Sequence, residues 1–213
     1  MGRGKFITFE GGEGAGKSTQ ARLLAGHLRS AGIKVLTTRE PGGSPGAEAI
    51  RELLVTGDPD RWDAVSEALL NFAARRDHVE TIIKPALEKG IWVISDRFAD
   101  STTVYQGIAG RAGKDAINHL YRITLGEFGP DVTLVLDIPS DVGLARSKAR
   151  HSASGSTEDR YENMGKDFHE TLRGGFQAVA EANPERCVMI DASGEVADIE
   201  AAIKAAVFER LDL

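Results

Sequence analysis

Gly11-Gly12-Glu13-Gly14-Ala15-Gly16-Lys17-Ser18 fits the pattern G-x-x-x-x-G-K-[ST] at every position. These residue types suit one task, the cradling of a polyphosphate. Glycines let successive backbone N–H groups turn inward around phosphate oxygens. A helix opening near Gly16 adds the partial positive charge of its N-terminus. Lys17 is expected to reach the β- and γ-phosphates and Ser18 to ligate Mg2+, with Thr19 next in the phosphate-facing turn. A lone match arises by chance in about one chain in a hundred of this length, so context matters. Here an apolar segment, Phe6-Ile7-Thr8-Phe9, precedes the loop and a helical pattern follows it. The loop implies a nucleoside triphosphate but not its use, since motors, GTPases, transporters and kinases share it. No N-K-x-D guanine-reading segment occurs, and the short chain favours a kinase acting on a small molecule.

Two more polar clusters follow apolar runs. Asp96 ends Ile91-Trp92-Val93-Ile94-Ser95, where an unpaired carboxylate would be costly. Holding Mg2+, directly or through water, would satisfy it; pairing with a neighbouring arginine is the alternative. Arg97 and Arg39 have the planar donor fork that matches a phosphate, although each could equally form an ordinary surface ion pair.

The elements that must position these residues are readable from periodicity. Strands are expected at 6–9, 33–38, 91–95, 132–136 and 187–191. Helices are expected at about 16–31, 46–56, 63–89, 100–127, 139–150 and 158–182, with a last one carrying Val196, Ile199, Ile203 and Val207 on one stripe. The small polar stretch His151–Thr157 reads as a loop. Alternation of apolar strands with helices means a parallel sheet covered on both faces. Loops that follow its strands converge on one crevice at their carboxyl ends. With no repeat, linker or compositional break, one domain spanning 1–213 is the economical organisation.

Composition excludes several classes. The chain has 41% hydrophobic and 27% charged residues and a net charge of −6, with no long Lys/Arg run, which argues against a nucleic-acid partner. One cysteine, Cys187, permits no internal disulfide and no cysteine-built metal cluster; its apolar neighbours point to a core thiol. No apolar h-region opens the chain, and no run approaches the roughly 18 residues of a membrane span. A cytoplasmic protein without a membrane partner is the expectation.

Four segments in order carry a resemblance. Thr38-Arg39-Glu40-Pro41-Gly42-Gly43 resembles the T-R-E-P-G-G loop of thymidylate kinases. Asp96-Arg97-Phe98 resembles their D-R-[YFH] motif, and Ser101-Thr102-Thr103-Val104-Tyr105-Gln106 their S-T-x-A-Y-Q, with Val104 in place of alanine. Asp159-Arg160-Tyr161-Glu162 resembles their D-R-[FY]-E segment. The resemblance implies an α/β, P-loop NTPase-like, three-layer fold: a five-stranded parallel sheet with helices on both faces and a short lid at about 147–160. It implies transfer of the γ-phosphoryl group of Mg-ATP to dTMP, giving dTDP for dTTP synthesis, and a homodimer.

Residue by residue, the resemblance puts Arg39, Arg97, Ser101 and Thr102 at the acceptor phosphate and sugar. Tyr105 packs on the deoxyribose, Gln106 lies near the base, and Glu13 meets the sugar 3′-hydroxyl. The family's base-stacking phenylalanine lies four residues before a base-reading arginine. Ungapped alignment selects Arg75 as that arginine and puts Asn71 at the stacking position; counting from Phe72 selects Arg76. Phe72 then either belongs to the core or supplies the stack. His78 reads as core or helix surface. Some thymidylate kinases carry an arginine where Gly14 stands, so charge on the transferred group must come from elsewhere. Arg146, Lys148, Arg150 and Arg160 flank the polar loop, and Arg150, aided by Arg146 or Arg160, is the expected arginine finger. No general base is needed, because the acceptor is already a phosphate oxyanion. A kinase for another acceptor such as a deoxynucleoside, or an ATP-switched module without turnover, are the competing readings.

Overall fold

The computed structural model describes residues 2–58, 60–154, 160–161 and 164–213, with the side chains of 150–154 outside that description. β1 (Phe6–Glu10) runs through the glycine loop into α1 (Lys17–Ser30). β2 (Val35–Arg39) precedes α2 (Pro45–Val55) and α3 (Ala64–His78). The helical path continues through a π-helical turn, Val79–Ile83, into α4 (Lys84–Glu88) and then β3 (Trp92–Asp96). Next come α5 (Ala99–Thr102), a π-helical segment Thr103–Ala109, α6 (Lys114–Leu125) and β4 (Val132–Asp137). α7 (Ser140–Ser154), α8 (Lys166–Ala182), β5 (Cys187–Asp191) and α9 (Val196–Arg210) follow.

The strands form one five-stranded sheet in the order β2-β3-β1-β4-β5, every pairing parallel. β1 is buried on both faces, as a continuous apolar run in a parallel sheet should be. On one side Leu24 and Leu28 of α1 and Ile203 and Val207 of α9 pack on Ile7, Phe9 and Leu134. Complete burial of one such leucine stabilises by about 2 kcal/mol. On the other side Phe72, Ile83 and Leu87 pack on Phe6 and Val93, while Leu172 and Phe176 of α8 pack on Val135. No helix among the described residues is long and apolar enough to cross a membrane.

Three expected spans differ. The stretch 63–89 contains the π-helical turn just before Pro85, which lacks an N–H and would crowd the carbonyl four residues back in a regular helix. The stretch 100–127 breaks where Arg111 and Gly113 take positive φ values of 62° and 88°. α7 runs on to Ser154, four residues into the stretch read as loop, and α8 starts only at Lys166 after Gly165. Residues 155–159, the rest of that loop and the start expected for α8, lie outside the described residues.

Candidate active site

The phosphate loop joins the buried end of β1 to α1 and is fitted tightly against its neighbours. Gly11 has φ 129° and Gly14 has φ 66°. A Cβ on Gly11 would lie 2.4 Å from Leu136 O, and one on Gly14 only 1.9 Å from Gly143 O, at the start of α7. No side chain fits at Gly14 unless the start of α7 moves. Lys17 is buried and folds back on its own loop, donating to Gly11 O at 3.0 Å and Gly12 O at 2.6 Å. Burial, with Arg97 nearby, pulls its ammonium down to about 8 despite Glu13, Asp96 and Glu10. Ser18 donates to the Asp96 carboxylate, so the hydroxyl and the strand-end acid lie side by side.

A cavity of about 340 Å³ opens in front of this loop. Gly14, Gly16, Lys17, Ser18 and Thr19 wall one end; Arg39, Arg97, Ser101, Thr102, Tyr105 and Gln106 line the rest. Arg97 sits at its centre with φ 71°, a conformation costly for a side-chain-bearing residue and maintained here by its surroundings. Its N–H donates to Phe9 O at 2.9 Å, and Ser95 Oγ donates to its carbonyl at 2.8 Å. The guanidinium donates to Gly11 O, Ser101 Oγ, Glu13 Oε1 and the Tyr105 hydroxyl, at 2.9–3.1 Å. Tyr105 in turn donates to Glu13 at 2.7 Å. Burial would raise the Glu13 carboxyl, but Arg97, Lys17 and the Tyr105 hydrogen bond outweigh it and hold it at about 2.

Beneath this cluster lies Glu10, fully buried at the end of β1. It accepts from Phe98 N, Ser101 N and Ser101 Oγ, and so fixes the turn that carries Arg97. Burial and the neighbouring Asp100 push its carboxyl up to about 7, against those hydrogen bonds and Arg97. A hydroxyl–carboxylate pair beside an amide-lined loop, facing a guanidinium across one cavity, is an arrangement able to hold two phosphorylated ligands end to end.

A family model described as "Thymidylate kinase" matches residues 9–203 of the chain. The thymidylate kinase of Caulobacter vibrioides is 54% identical over 213 residues, covering all of both chains. That of Nitrobacter winogradskyi is 50% identical over 98% of this chain and 90% of its own. The chain belongs to the thymidylate kinase family. The crystal structure of thymidylate kinase from Ehrlichia chaffeensis superposes with a TM-score of 0.78 at 32% identity, over 96% of this chain and 99% of that one. As a member of that family the chain is a kinase.

Against the sequence expectations, the family's motif residues gather as follows. Arg39, Arg97, Ser101, Thr102, Tyr105, Gln106 and Glu13 meet in the cavity with Lys17, Ser18 and Asp96. Gly11, Gly12 and Ala15 belong to the loop but do not line this cavity, Ala15 being buried in the core. Arg75 is buried just behind the wall, donating to Glu40 Oε2 at 2.6 Å and to Thr102 Oγ1 and Phe98 O at 3.1 Å. Its Nη1 is buried and has no hydrogen-bond partner among the described residues. Arg76 instead points to the protein surface, bonded to Thr124 O and Glu80. His78 is core, linking Glu40 to Thr38.

Three expected positions differ. Phe72 does not line the cavity: it is 1% exposed, packed edge-on against Tyr121 with the Arg75 guanidinium over its ring. The helix turns it into the core and turns Asn71 to the cavity instead. Arg160, expected beside the transferred phosphoryl group, does line the cavity, but it is 1% exposed and committed to Glu67, donating also to Asp58 O and Leu54 O. Arg146 is exposed and donates to Ala192 O at 3.1 Å, away from the cavity wall. The side chain of Arg150 lies outside the described residues.

Sequence reasoning missed Glu10, Arg51 and Glu67, and gave no role to Glu40 and Tyr161 although both stand in the segments that carry the resemblance. Arg51, Glu40 and Tyr161 line the cavity. A signal existed for Glu10: a carboxylate closing an otherwise apolar strand.

Proposed function

We propose that this chain transfers the γ-phosphoryl group of Mg-ATP to the phosphate of dTMP, forming ADP and dTDP. The observation that carries the reading is the single cavity shared by Lys17 of the phosphate loop and the Glu13–Arg97–Tyr105 cluster. ATP phosphates displace the Lys17 ammonium from Gly11 O and Gly12 O and take it as their counter-charge. Arg97 and Arg39 hold the dTMP phosphate, Tyr105 supports the deoxyribose, and Glu13 accepts from the 3′-hydroxyl. Gln106 lies at the base edge, and Arg75, just behind the wall, holds Thr102 in place there. Ser101 and Thr102 complete the acceptor wall.

The Ser18 hydroxyl and Asp96 carboxylate, in contact with each other, form a hard-oxygen pair that suits Mg2+. Among the described residues no cluster of three or more metal-ligating side chains occurs, which fits an ion shared between one or two protein oxygens and substrate phosphates. Bound there, Mg2+ would offset charge on the phosphates of ATP. The acceptor oxygen is already anionic, so the protein positions and stabilises without removing a proton. Arg150 supplies charge to the transferred group from a lid at about 147–160 of a single domain spanning 1–213. Half-exposed Leu69 on α3 and the largely exposed Ile123 on α6 support a homodimer through these helices.

Release of ADP tests the reading with dTMP, dUMP and thymidine as acceptors. Turnover is expected to be fastest with dTMP and absent with thymidine. Turnover on thymidine would make the chain a deoxynucleoside kinase, and ADP release indifferent to acceptor would make it an ATPase.

A further inference from the structure

Glu67, on the first turn of α3, is 7% exposed and is not itself part of the cavity wall, yet it ties together four residues that are. Its Oε1 pairs with Arg160. Its Oε2 accepts from Gln106 Nε2 at 2.9 Å and from the Tyr161 hydroxyl at 3.3 Å. Its backbone carbonyl accepts from Asn71 Nδ2 at 2.9 Å. Gln106 and Asn71 are 3% and 8% exposed, so neither amide is free to turn in solvent.

A carboxylate and a backbone carbonyl accept hydrogen bonds and cannot donate them. Each amide must therefore turn its NH2 group to Glu67, which leaves its carbonyl oxygen as the acceptor available to a ligand. Were either amide inverted, two oxygens would face each other in a buried setting, at the full cost of an unsatisfied polar contact.

We propose that Glu67 is the positioning residue for base choice: its carboxylate commits Gln106 to presenting a carbonyl oxygen beside that of Asn71, which the helix backbone already holds, and so selects a pyrimidine with a ring N–H. This rests on the dTMP reading given above. Thymine and uracil carry a hydrogen at N3 and suit such an acceptor pair. Cytosine has a lone pair at N3 and opposes it. A site built around a hydrogen bond rejects an analogue that leaves it unmade far more strongly than a site built on shape alone.

The test is the ratio of kcat/KM for dTMP over dCMP in the wild type and in E67Q. The introduced carboxamide donates as well as accepts, so Gln106 gains the freedom to invert. The ratio is expected to fall by about tenfold or more, chiefly through KM. A merely structural role would lower turnover of both nucleotides together and leave the ratio at the wild-type value; that result overturns the proposal. If E67Q does not fold because Arg160 loses its ion pair with Glu67, E67Q/R160M removes both charges at once and gives the same readout. Wild-type turnover of dTMP is measured in the same assay: its absence sinks the functional reading, whereas its presence with an unchanged ratio in the variants sinks only the role of Glu67.

Discussion

Replacing Glu13 with glutamine probes how the acceptor site is held together before any nucleotide arrives. The carboxylate accepts from Arg97 at 2.9 Å and Tyr105 at 2.7 Å and is 17% exposed. Its pKa is held at about 2 in place of 4.5, so the folded chain binds this proton more weakly than the unfolded chain. At about 1.36 kcal/mol per unit, the difference corresponds to about 3 kcal/mol of stability. The contribution is complete above the unfolded value of 4.5 and fades as pH falls towards 2. E13Q carries no such titration. In urea unfolding at about pH 7, E13Q should be less stable than wild type by about 2–3 kcal/mol. That gap should narrow steadily below about pH 4.5 and nearly close by about pH 2. A gap of constant size across the acid range would refute the idea that an ionised Glu13 anchors Arg97.

Other outcomes follow from the same geometry. Lys17, held at about 8 by burial, should gain protons when phosphates arrive; calorimetry near pH 8 in buffers of different ionisation enthalpy should find uptake of about half a proton per ATP analogue, vanishing near about pH 6. R75M should raise the KM for dTMP about tenfold or more and, by leaving Glu40 buried beside a lost cation, destabilise the fold by about 3–5 kcal/mol in urea unfolding. R76M, at a side chain bonded to Thr124 O on the surface, should leave that KM within about twofold. G14A forces a Cβ against Gly143 O, 1.9 Å away, and should weaken ATP binding about tenfold or more by calorimetry; unchanged affinity would contradict the close approach.

Features set by local backbone chemistry were the legible ones. The glycine loop announces itself because only glycines permit its turns, and β1, β3 and β4 because their apolar runs are too short for helices. The spacing of α3 puts Arg75 and Phe72 on its buried side and Arg76 on its exposed side. Long-range pairing was not legible. Arg160 stands just across the polar loop from Arg146, Lys148 and Arg150 and reads as a lid cation, since its partner Glu67 lies far away in sequence and looks like an ordinary charge in a helix's first turn. Glu40 and Glu10 belong to the same class: Glu40 is satisfied by Arg75 and His78 on α3, and Glu10 by Phe98 and Ser101 beyond β3. The breaks at Arg111–Gly113 and Gly165 depend on how α6 and α8 dock, which periodicity alone does not specify.

A crystal structure with ADP and dTMP bound together tests the central claim most directly. The account predicts both nucleotides in the one cavity, the ADP phosphates on the 11–18 loop and the dTMP phosphate on Arg97, with Lys17 released from Gly11 O. A dTMP molecule seated elsewhere, or one whose phosphate makes no contact with Arg97, would contradict it.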